Sequence, residues 1–336
     1  MANAPLHHGG RLDQASAAFG EPPEGWLDLS TGINPFAYDA LTIEPGVIRR
    51  LPHDGDLGGL LRAAESAYGL DPATAVAAAP GTQAIIQILP HLRKPSTVAV
   101  LGPTYEEHAA CWRHAGHSVS EAGSLADALA ADVVVAVNPN NPDGRLIPAS
   151  ALAEAADELF RRGGLLIVDE AFADVAPDFS TAPLLPLPGL VVLRSLGKFF
   201  GLAGLRLGFA AGEPEIISAI GERLGPWAVS GPAIAIGVRA LSDRRWQEDM
   251  RQTLGDARRQ LDHLLAGKNL TVIGGTDLFR LVEADDVRRI YEHLARNGIL
   301  TRYFPSHSRW LRIGLPGSDR NQTRLAEALN GLGVEA

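Results

Sequence analysis

From residue 75 onward the chain alternates short apolar runs with amphipathic stretches, and this alternation restricts the possible folds more than any other feature. The apolar runs are nearly continuous, as expected for strands that are buried on both faces of a parallel sheet. They lie at residues 76–79, 97–101, 133–137, 165–168, 190–193 and 207–211. Helical patterns separate several of them, at residues 83–92, 106–115 and 149–161. The alternation predicts a large α/β lobe whose central sheet is mainly parallel and whose crossovers are right-handed.

The length of the chain predicts a second lobe, because 336 residues exceed what one hydrophobic core usually accommodates. The pattern that begins near Pro214 indicates a smaller α+β lobe. Helices are expected there at residues 246–265 and 286–297, and strands around residues 271–273, 278–282, 299–302 and 310–313. The Pro/Gly-rich residues 20–46 indicate an extended arm that packs with the second lobe or a partner subunit. We expect an arm at residues 1–45, a large domain at 46–213 and a small domain at 214–336.

Charge and composition exclude several classes of protein. A formal net charge of −9 argues against binding to nucleic acid or to an acidic membrane surface. No apolar run is long enough to span a bilayer, and the first residues lack the pattern of a signal peptide. The single cysteine, Cys111, is typical of a reducing compartment. The sequence therefore predicts a cytoplasmic protein with no nucleic-acid or membrane partner.

Polar side chains follow the predicted strands, where open α/β sheets bind their ligands. Gly81 follows the first strand, and the amides of Thr82 and Gln83 open a helix, which favours an anion. The later strands are followed by one aromatic and several polar side chains, namely Tyr105, Asn141, Asp169 and Lys198.

Lys198 has a hydroxyl three residues before it, Ser195, and a guanidinium eight residues after it, Arg206. Its amine can bond to an aldehyde while Ser195 and Arg206 neutralise a phosphate of the same molecule. An ordinary surface lysine is the alternative for this segment taken alone. Asp169 would keep a pyridine nitrogen protonated, Asn141 would donate to a phenolic oxygen, and Tyr105 would stack on the ring. The set predicts pyridoxal 5'-phosphate, with Lys198, Asp169 and Tyr105 as catalytic residues and Gly81, Thr82, Gln83, Tyr105, Asn141, Asp169, Ser195, Lys198 and Arg206 as cofactor-binding residues.

Ordered motifs make the chain similar to the fold-type I pyridoxal-phosphate enzymes, the aspartate aminotransferase superfamily. They are Asn141-Pro142-x-Gly144, Asp169-Glu170-Ala171 and Ser195-x-x-Lys198, followed by Arg206. Within that superfamily, further segments resemble the threonine-phosphate decarboxylases of cobalamin biosynthesis, in the histidinol-phosphate aminotransferase branch. These segments are His8-Gly9-Gly10, residues 27–35, residues 80–84 and residues 102–108. The resemblance implies the fold-type I transferase fold and a homodimer.

The chain departs from the aminotransferase pattern at several positions. Gly32-Ile33-Asn34-Pro35 replaces Asn-Glu-Asn-Pro, and Phe172 replaces a tyrosine whose phenol donates to the cofactor's ring oxygen. These differences favour chemistry other than ordinary transamination. Leu51 stands where many relatives have a tyrosine that reaches the neighbouring subunit's cofactor, which weakens the inference of shared active sites.

Two arginines of the second lobe, Arg302 and Arg312, end successive predicted strands. The resemblance implies that Arg312 binds a substrate α-carboxylate and Arg302 a substrate phosphate, each through a planar fork. Exposed arginines on edge strands are the alternative. A small phosphorylated amino acid is the expected substrate, with His8, Gly32, Asn34, Asn141, Arg302 and Arg312 as its binding residues.

Three functions are compatible with these residues. The first is decarboxylation of threonine O-3-phosphate to aminopropanol phosphate. The second is an aminotransferase that acts on histidinol phosphate or a related phosphorylated amine. The third is a non-catalytic, cofactor-binding regulator, although no basic helix-turn-helix segment is evident.

The segment His108-x-x-Cys111-x-x-His114-x-x-His117 contains residue types that commonly bind metal ions. On a helix, however, each step of three residues advances about 300°, so that the first and last histidines end on opposite sides. We predict no bound metal and expect Cys111 to be a small core residue. The pair Asp285-Asp286 is expected to provide a helix N-cap rather than an acid–base pair.

Overall fold

The computed structural model describes residues 8–40, 42–268 and 270–332. These residues form two compact units. The larger unit contains residues 37–141 and 145–248, and the smaller unit contains the described parts of residues 1–36, 142–144 and 249–336.

The strands, in chain order, are β1 (Leu27–Asp28), β2 (Ala75–Ala79), β3 (Thr97–Leu101), β4 (Ser118–Ala122), β5 (Val133–Val137), β6 (Leu165–Asp169), β7 (Leu190–Ser195), β8 (Gly208–Gly212), β9 (Thr271–Thr276), β10 (Phe279–Glu283), β11 (Ile299–Leu300), β12 (Arg302–Tyr303) and β13 (Trp310–Gly314). The α-helices are α1 (Leu12–Phe19), α2 (Pro45–Arg49), α3 (Asp54–Tyr68), α4 (Thr82–Ile88), α5 (Glu106–His114), α6 (Leu125–Ala128), α7 (Ala149–Arg161), α8 (Pro214–Leu224), α9 (Gly231–Ser242), α10 (Arg244–Leu265), α11 (Val287–Arg296) and α12 (Asp319–Gly331). Short 3₁₀ helices occur at Leu89–Leu92, Ala173–Val175, Pro177–Phe179, Ala182–Leu184 and Ala203–Leu205.

The larger unit is built on a seven-stranded sheet in the order β2-β8-β7-β6-β5-β3-β4. Strands β7, β6, β5, β3 and β4 run parallel to one another, and β8 runs antiparallel to both β2 and β7. The predicted, mainly parallel sheet is therefore confirmed. Edge strand β4 was not predicted, because its sequence Ser-Val-Ser-Glu-Ala carries polar residues on an exposed edge and shows no apolar run.

The core of the larger unit lies where the central strands meet the helices. Residues of the sheet, including Val98, Val133 and Ile167, and residues of the helices, including Ile85 and Trp112, belong to one buried cluster. Because parallel strands in such a core are covered on both faces, their ends are the part of the sheet open to a ligand.

The smaller unit contains a four-stranded antiparallel sheet in the order β12-β13-β10-β9. Strand β1 pairs in parallel with β11, so the opening arm contributes a strand to this unit. Downstream of β1, the Leu29 carbonyl accepts a hydrogen bond from the Gly314 amide at 2.8 Å. The predicted strand at 299–302 is divided into β11 and β12 at Thr301.

The boundary between the units differs from the predicted one near Pro214. It falls inside α10, between Glu248 and Asp249, and the arm divides at Phe36 instead of residue 45. Helix α8 stays with the larger unit because Ile217 and Ile220 are buried in the same cluster as the central sheet. Residues 142–144 join the smaller unit, where the Asp143 carbonyl accepts a hydrogen bond from the Gly275 amide at 2.7 Å. The sequence gives no sign that residues 142–144, which follow strand β5 of the larger unit, belong to the smaller unit.

Helix boundaries follow local chemistry. The helix predicted at 83–92 ends at Ile88 and continues as a 3₁₀ turn that contains Pro90, a residue without an amide proton. Asp286 caps α11 as predicted, since its side chain accepts from the Arg289 amide at 3.1 Å. Within the described residues, no helix combines the length and the apolar character needed to cross a membrane.

Candidate active site

Asp169 is the last residue of β6 and is buried. One carboxylate oxygen, Oδ1, accepts from the Ala171 amide at 3.0 Å, and Oδ2 lies 2.9 Å from His108 Nε2. His108, on α5, is itself buried, and its ring meets the Tyr105 ring edge to face at a centroid distance of 6.0 Å. These contacts hold the carboxylate in one orientation, which suits a residue that must face a ring nitrogen.

The role of His108 was missed in the sequence, where it was considered only as part of a possible metal cluster. The structure instead places it beside Asp169. The available signal was its position three residues after Tyr105, which directly precedes α5, because side chains spaced this way lie close together at a helix. Among the described residues, no group of three or more His, Cys, Asp or Glu side chains could hold a metal ion.

Lys198 follows β7, the strand next to β6, and is half-buried. Its Nζ lies 5.5 Å from the centroid of the Phe172 ring. Ser195 is the last residue of β7, and its Oγ accepts from the Gly197 amide at 3.1 Å. The Lys198 amine therefore lies beside the ring of Phe172, the residue that replaces the tyrosine of the aminotransferase pattern.

Gly81, Thr82, Ser195 and Arg206 come together at the start of β8. A Cβ at Gly81 would lie only 2.5 Å from Arg206 Nη2, so glycine is required for this approach of the guanidinium. Gly208 pairs with Ser195, and a Cβ at Gly208 would lie 2.6 Å from the Thr82 amide nitrogen. Arg206 adopts a left-handed backbone with φ of 54°, an unfavourable conformation for a non-glycine residue that is typical of functional sites.

The Tyr105 phenol donates to Gln83 Oε1 at 3.2 Å, and Gln83 Nε2 donates to Glu107 Oε2 at 2.8 Å. Burial, together with the Glu107 charge, raises the pKa of the Tyr105 phenol, so it remains neutral. The Gln83 side chain thus fixes the tyrosine, and the predicted cofactor contact of Gln83 rests on its backbone amide. Burial beside Glu107 also raises the pKa of the Cys111 thiol to about 11, which keeps it protonated and a weak nucleophile.

Three asparagines follow β5, and two of them shape the loop. Asn138 Nδ2 donates to the carbonyls of Ile147 and Phe179, at 3.0 and 3.1 Å, and Asn140 Nδ2 donates to the Pro103 carbonyl at 3.0 Å. Both are buried. Asn141, the residue predicted to contact the cofactor, is half-buried immediately after them.

The sequence analysis also did not predict a buried ion cluster at the ends of β6 and β7. Arg194, the residue before Ser195, donates to Glu170 Oε2 at 2.8 Å and to Asp174 Oδ1, and its Cζ lies 4.2 Å from the Tyr68 ring centroid. Burial disfavours the charge on Arg194, but Asp174 and Glu170 outweigh that effect and raise its pKa. A buried arginine inside an apolar strand gives no sequence signal until its acidic partners are known.

In the smaller unit, Arg302 and Arg312 lie directly opposite each other on β12 and β13. Arg312 is buried, its Nη2 donates to the Ser30 carbonyl at 2.6 Å, and its Cζ lies 5.0 Å from the Phe279 ring centroid. Burial and the charge of Arg302 lower the pKa of Arg312, while Asp28 raises it. The alternative of an exposed edge-strand arginine is therefore wrong for Arg312. Like charges directly opposite on a sheet are unfavourable, and a bound anion would relieve the repulsion.

The remaining predicted substrate residues belong to the arm. Gly32 and Asn34 are buried, and Asn34 Oδ1 accepts from the Phe36 amide at 2.7 Å. His8 is half-buried and is followed by Gly10, whose amide donates to Ser30 Oγ at 2.7 Å. The structure thus brings the His8 segment and Arg312 to the same residue, Ser30.

The larger unit presents an amine at Lys198, a buried carboxylate at Asp169, an aromatic ring at Tyr105 and a guanidinium at Arg206. This set of groups fits a cofactor with an aldehyde, a basic ring nitrogen and a phosphate. The Arg206 guanidinium lies directly against Gly81, the residue before Thr82. The residues present therefore fit pyridoxal 5'-phosphate.

Comparison with known proteins gives consistent results. The model of the family "Aminotransferase class I and II" matches residues 59–329. A threonine-phosphate decarboxylase of Pseudomonas aeruginosa is 45% identical over 332 residues, which cover 97% of this chain and 98% of the relative. A threonine-phosphate decarboxylase of Sinorhizobium sp. is 43% identical over 335 residues, with coverage of 97% and 98%.

A solved structure supports the fold. The histidinol-phosphate aminotransferase of Sinorhizobium meliloti, in complex with pyridoxal-5'-phosphate, superposes with a TM-score of 0.85 at 21% identity and covers 98% of this chain and 96% of its own. The expected fold is confirmed, and the chain belongs to the aminotransferase class I and II family.

Proposed function

We propose that this protein is a pyridoxal-phosphate-dependent decarboxylase that converts L-threonine O-3-phosphate to (R)-1-amino-2-propanol O-2-phosphate in cobalamin biosynthesis. The observation that carries the proposal is the cross-strand pair Arg302 and Arg312, two cations held together within one small sheet. A substrate with a carboxylate and a phosphate satisfies both. The two relatives that match nearly the whole chain are named for this reaction.

The larger unit holds the cofactor, which when bound serves as a sink for the electrons released at the substrate's Cα. Lys198 binds the aldehyde, and its Nζ is the group able to carry a proton to Cα. Asp169, oriented by the Ala171 amide and His108, holds the proton on the ring nitrogen. Tyr105 supports the ring, while Gly81, Thr82, Gln83, Ser195 and Arg206 bind the phosphate and Asn141 donates to the ring oxygen.

The smaller unit selects the substrate. Arg312 binds the α-carboxylate and Arg302 the phosphate, each through a guanidinium fork. His8, Gly32 and Asn34 of the arm, with Asn141, complete the set of substrate contacts. Because the two guanidiniums bind opposite ends of the substrate, they determine its rotation about Cα. That rotation decides which bond to Cα is aligned for cleavage.

Decarboxylation is favoured over transamination by the environment of Lys198. The Phe172 ring lies 5.5 Å from Nζ, so no phenol is available at this position to hydrogen-bond the cofactor. The arm sequence Gly32-Ile33-Asn34-Pro35 also differs from that of the aminotransferases. The aminotransferase that acts on histidinol phosphate or a related amine is the alternative outcome of the test below.

The protein is further proposed to be a cytoplasmic homodimer without nucleic-acid or membrane partners. A net charge of −9 is unfavourable for binding polyanions. Two apolar side chains of the segment around α2, Ile48 and Leu51, are 66% and 60% exposed. Large apolar side chains exposed so close together in the chain are typical of a surface covered by another protein chain.

Product analysis tests the proposed function. Purified protein is incubated with threonine phosphate, with and without 2-oxoglutarate, and CO₂ and glutamate are measured. We expect CO₂ in amounts equal to the substrate consumed, independent of 2-oxoglutarate. Stoichiometric glutamate without CO₂ would instead establish an aminotransferase.

A further inference from the structure

Ser30 in the arm of the smaller unit is buried, with 1% of its surface exposed, and is hydrogen-bonded on all sides. Its amide and its hydroxyl both donate to Asp28 Oδ1, at 2.8 and 2.5 Å. The hydroxyl oxygen also accepts from the Gly10 amide at 2.7 Å, and the carbonyl accepts from Arg312 Nη2 at 2.6 Å. One small residue thus joins three parts of the chain that are distant in sequence.

The segment His8-Gly9-Gly10 lies directly on Ser30. A Cβ at Gly9 would be 2.5 Å from the Ser30 carbonyl oxygen and 3.1 Å from its Oγ. Both atoms belong to Ser30. The nearer one, the carbonyl oxygen, is part of the backbone and cannot rotate away as a side chain could. Only glycine at position 9 allows the chain to approach closely enough for the Gly10 amide to reach Ser30 Oγ.

Arg312 contacts the same residue through the Ser30 carbonyl. Its guanidinium is held by the Ser30 carbonyl, and the carboxylate that Ser30 binds, Asp28, is the negative charge that favours the protonated form of Arg312. The position of the Ser30 backbone is therefore tied both to the guanidinium and to the segment that carries His8. A shift of either one is transmitted through a buried, fully bonded residue.

We propose that Ser30 is a positioning residue for substrate recognition, which fixes the His8-Gly9-Gly10 segment relative to Arg312. This inference rests on the proposed function in one respect, the assignment of His8 and Arg312 to the binding of the substrate. Ser30 does not touch the reacting atoms. It determines the spacing between the His8-Gly9-Gly10 segment and Arg312, and so how tightly the substrate is bound between them.

The variants Ser30→Ala and Gly9→Ala interrupt the same contact from opposite sides. Ser30→Ala removes the acceptor for the Gly10 amide and keeps the carbonyl that binds Arg312. Gly9→Ala keeps Ser30 and displaces the segment from it. For each variant we expect KM for threonine phosphate to rise about tenfold, as for the loss of one buried hydrogen bond, with kcat changed less than about threefold.

The double variant distinguishes a shared contact from two separate defects. If both changes interrupt one contact, the double variant has nearly the same KM as either single variant. Gly123→Ala is the matched control, because a Cβ at Gly123 has no atom within 4 Å, and it should behave as the parent.

Hydrogen exchange supplies a readout independent of turnover. The Gly10 amide is expected to exchange at least about tenfold faster in Ser30→Ala and in Gly9→Ala than in the parent holoenzyme. Multiplicative effects on KM in the double variant, or unchanged KM together with unchanged exchange at Gly10, would overturn the inference.

Failure of the proposed function is separable from failure of this inference. If the parent releases no CO₂ from threonine phosphate, the proposed function is wrong. The same variants are then assayed on the amino acid that the parent does turn over, and the non-additivity and the exchange at Gly10 still decide the role of Ser30.

Discussion

Asp169 shows how a single residue acquires its chemistry from its neighbours. Its buried carboxylate accepts from a backbone amide and from His108, so that one negative charge is held in place at the end of β6. A carboxylate fixed in this way stabilises a protonated ring nitrogen opposite it, because the two charges attract strongly where water is excluded.

Replacing the Asp169 carboxylate with an amide tests this role. Asp169→Asn preserves the size of the side chain and removes the charge, so we expect the fold and much of the bound cofactor to remain. The rate of CO₂ release should fall roughly 10²-fold or more, as for other single electrostatic deletions in active sites. Cofactor absorbance and kcat measured on the same sample would check it, and near-parental turnover would contradict the role.

Arg302 is expected to determine specificity for the phosphate. Arg302→Ala should cost about 2–5 kcal/mol of binding or transition-state energy for threonine phosphate, because a desolvated anion loses its partner. The activity on unphosphorylated threonine should change much less, and the ratio of kcat/KM for the two substrates reports the effect.

Arg309→Ala is the control for Arg302→Ala. Arg309 belongs to the same unit of the structure and pairs with the exposed Asp285 and with Glu283. It should leave the ratio unchanged. If Arg302→Ala treats the two substrates as the parent does, the assignment of the phosphate to Arg302 is wrong.

At the scale of elements, strands β6 and β7 are joined by the buried cluster of Arg194, Glu170 and Asp174. The residues next to this cluster in the sequence are Asp169 and Ser195, which face the cofactor in the proposed function. The ion pairs therefore connect the ends of the two strands from which these two side chains project.

Removing the cation tests the contribution of the cluster to stability. Arg194→Met leaves Glu170 and Asp174 buried without their partner, so we expect the free energy of unfolding to fall by about 3–5 kcal/mol. Arg161→Met, which breaks the exposed pair with Asp157 on α7, should cost less than about 1 kcal/mol. Urea denaturation of the three proteins measures the difference, and equal midpoints would contradict it.

Strands were predictable where burial on both faces leaves an uninterrupted apolar run. Strands β3 and β5 lie at the predicted residues, 97–101 and 133–137. The exposed edge strand β4 has no such run and was missed. His108 and Arg194 were missed for a different reason: each is defined by a partner 61 or 24 residues away, and a single sequence does not show which distant residues meet.

At the scale of the whole molecule, the chain leaves and re-enters its two units. Residues 142–144 belong to the smaller unit although both of their flanks belong to the larger one. Motif order in the sequence was sufficient to predict the fold and the groups at the strand ends. It was insufficient for the domain boundary, because α8 and α9 are assigned by what they pack against and not by their position after β8.

The proposed homodimer predicts a mass twice that of the 35.6 kDa chain in solution. Replacing both Ile48 and Leu51 with aspartate should shift the protein toward the monomer mass, because burying two carboxylates in an apolar contact is unfavourable. Light scattering coupled to size exclusion measures the shift. A parent protein that is monomeric at micromolar concentration would contradict the proposal, as would a double variant that remains dimeric.

The central claim, that the enzyme breaks the bond from Cα to the carboxylate, is tested most directly by turnover of threonine phosphate in D₂O. Decarboxylation keeps the original Cα hydrogen and adds a solvent deuteron in place of CO₂. We therefore expect aminopropanol phosphate with a single deuterium on the amino-bearing carbon, at one stereochemical position, by NMR and mass spectrometry. Deuterium at Cα of recovered threonine phosphate, with a keto acid as product and no CO₂, would contradict the account.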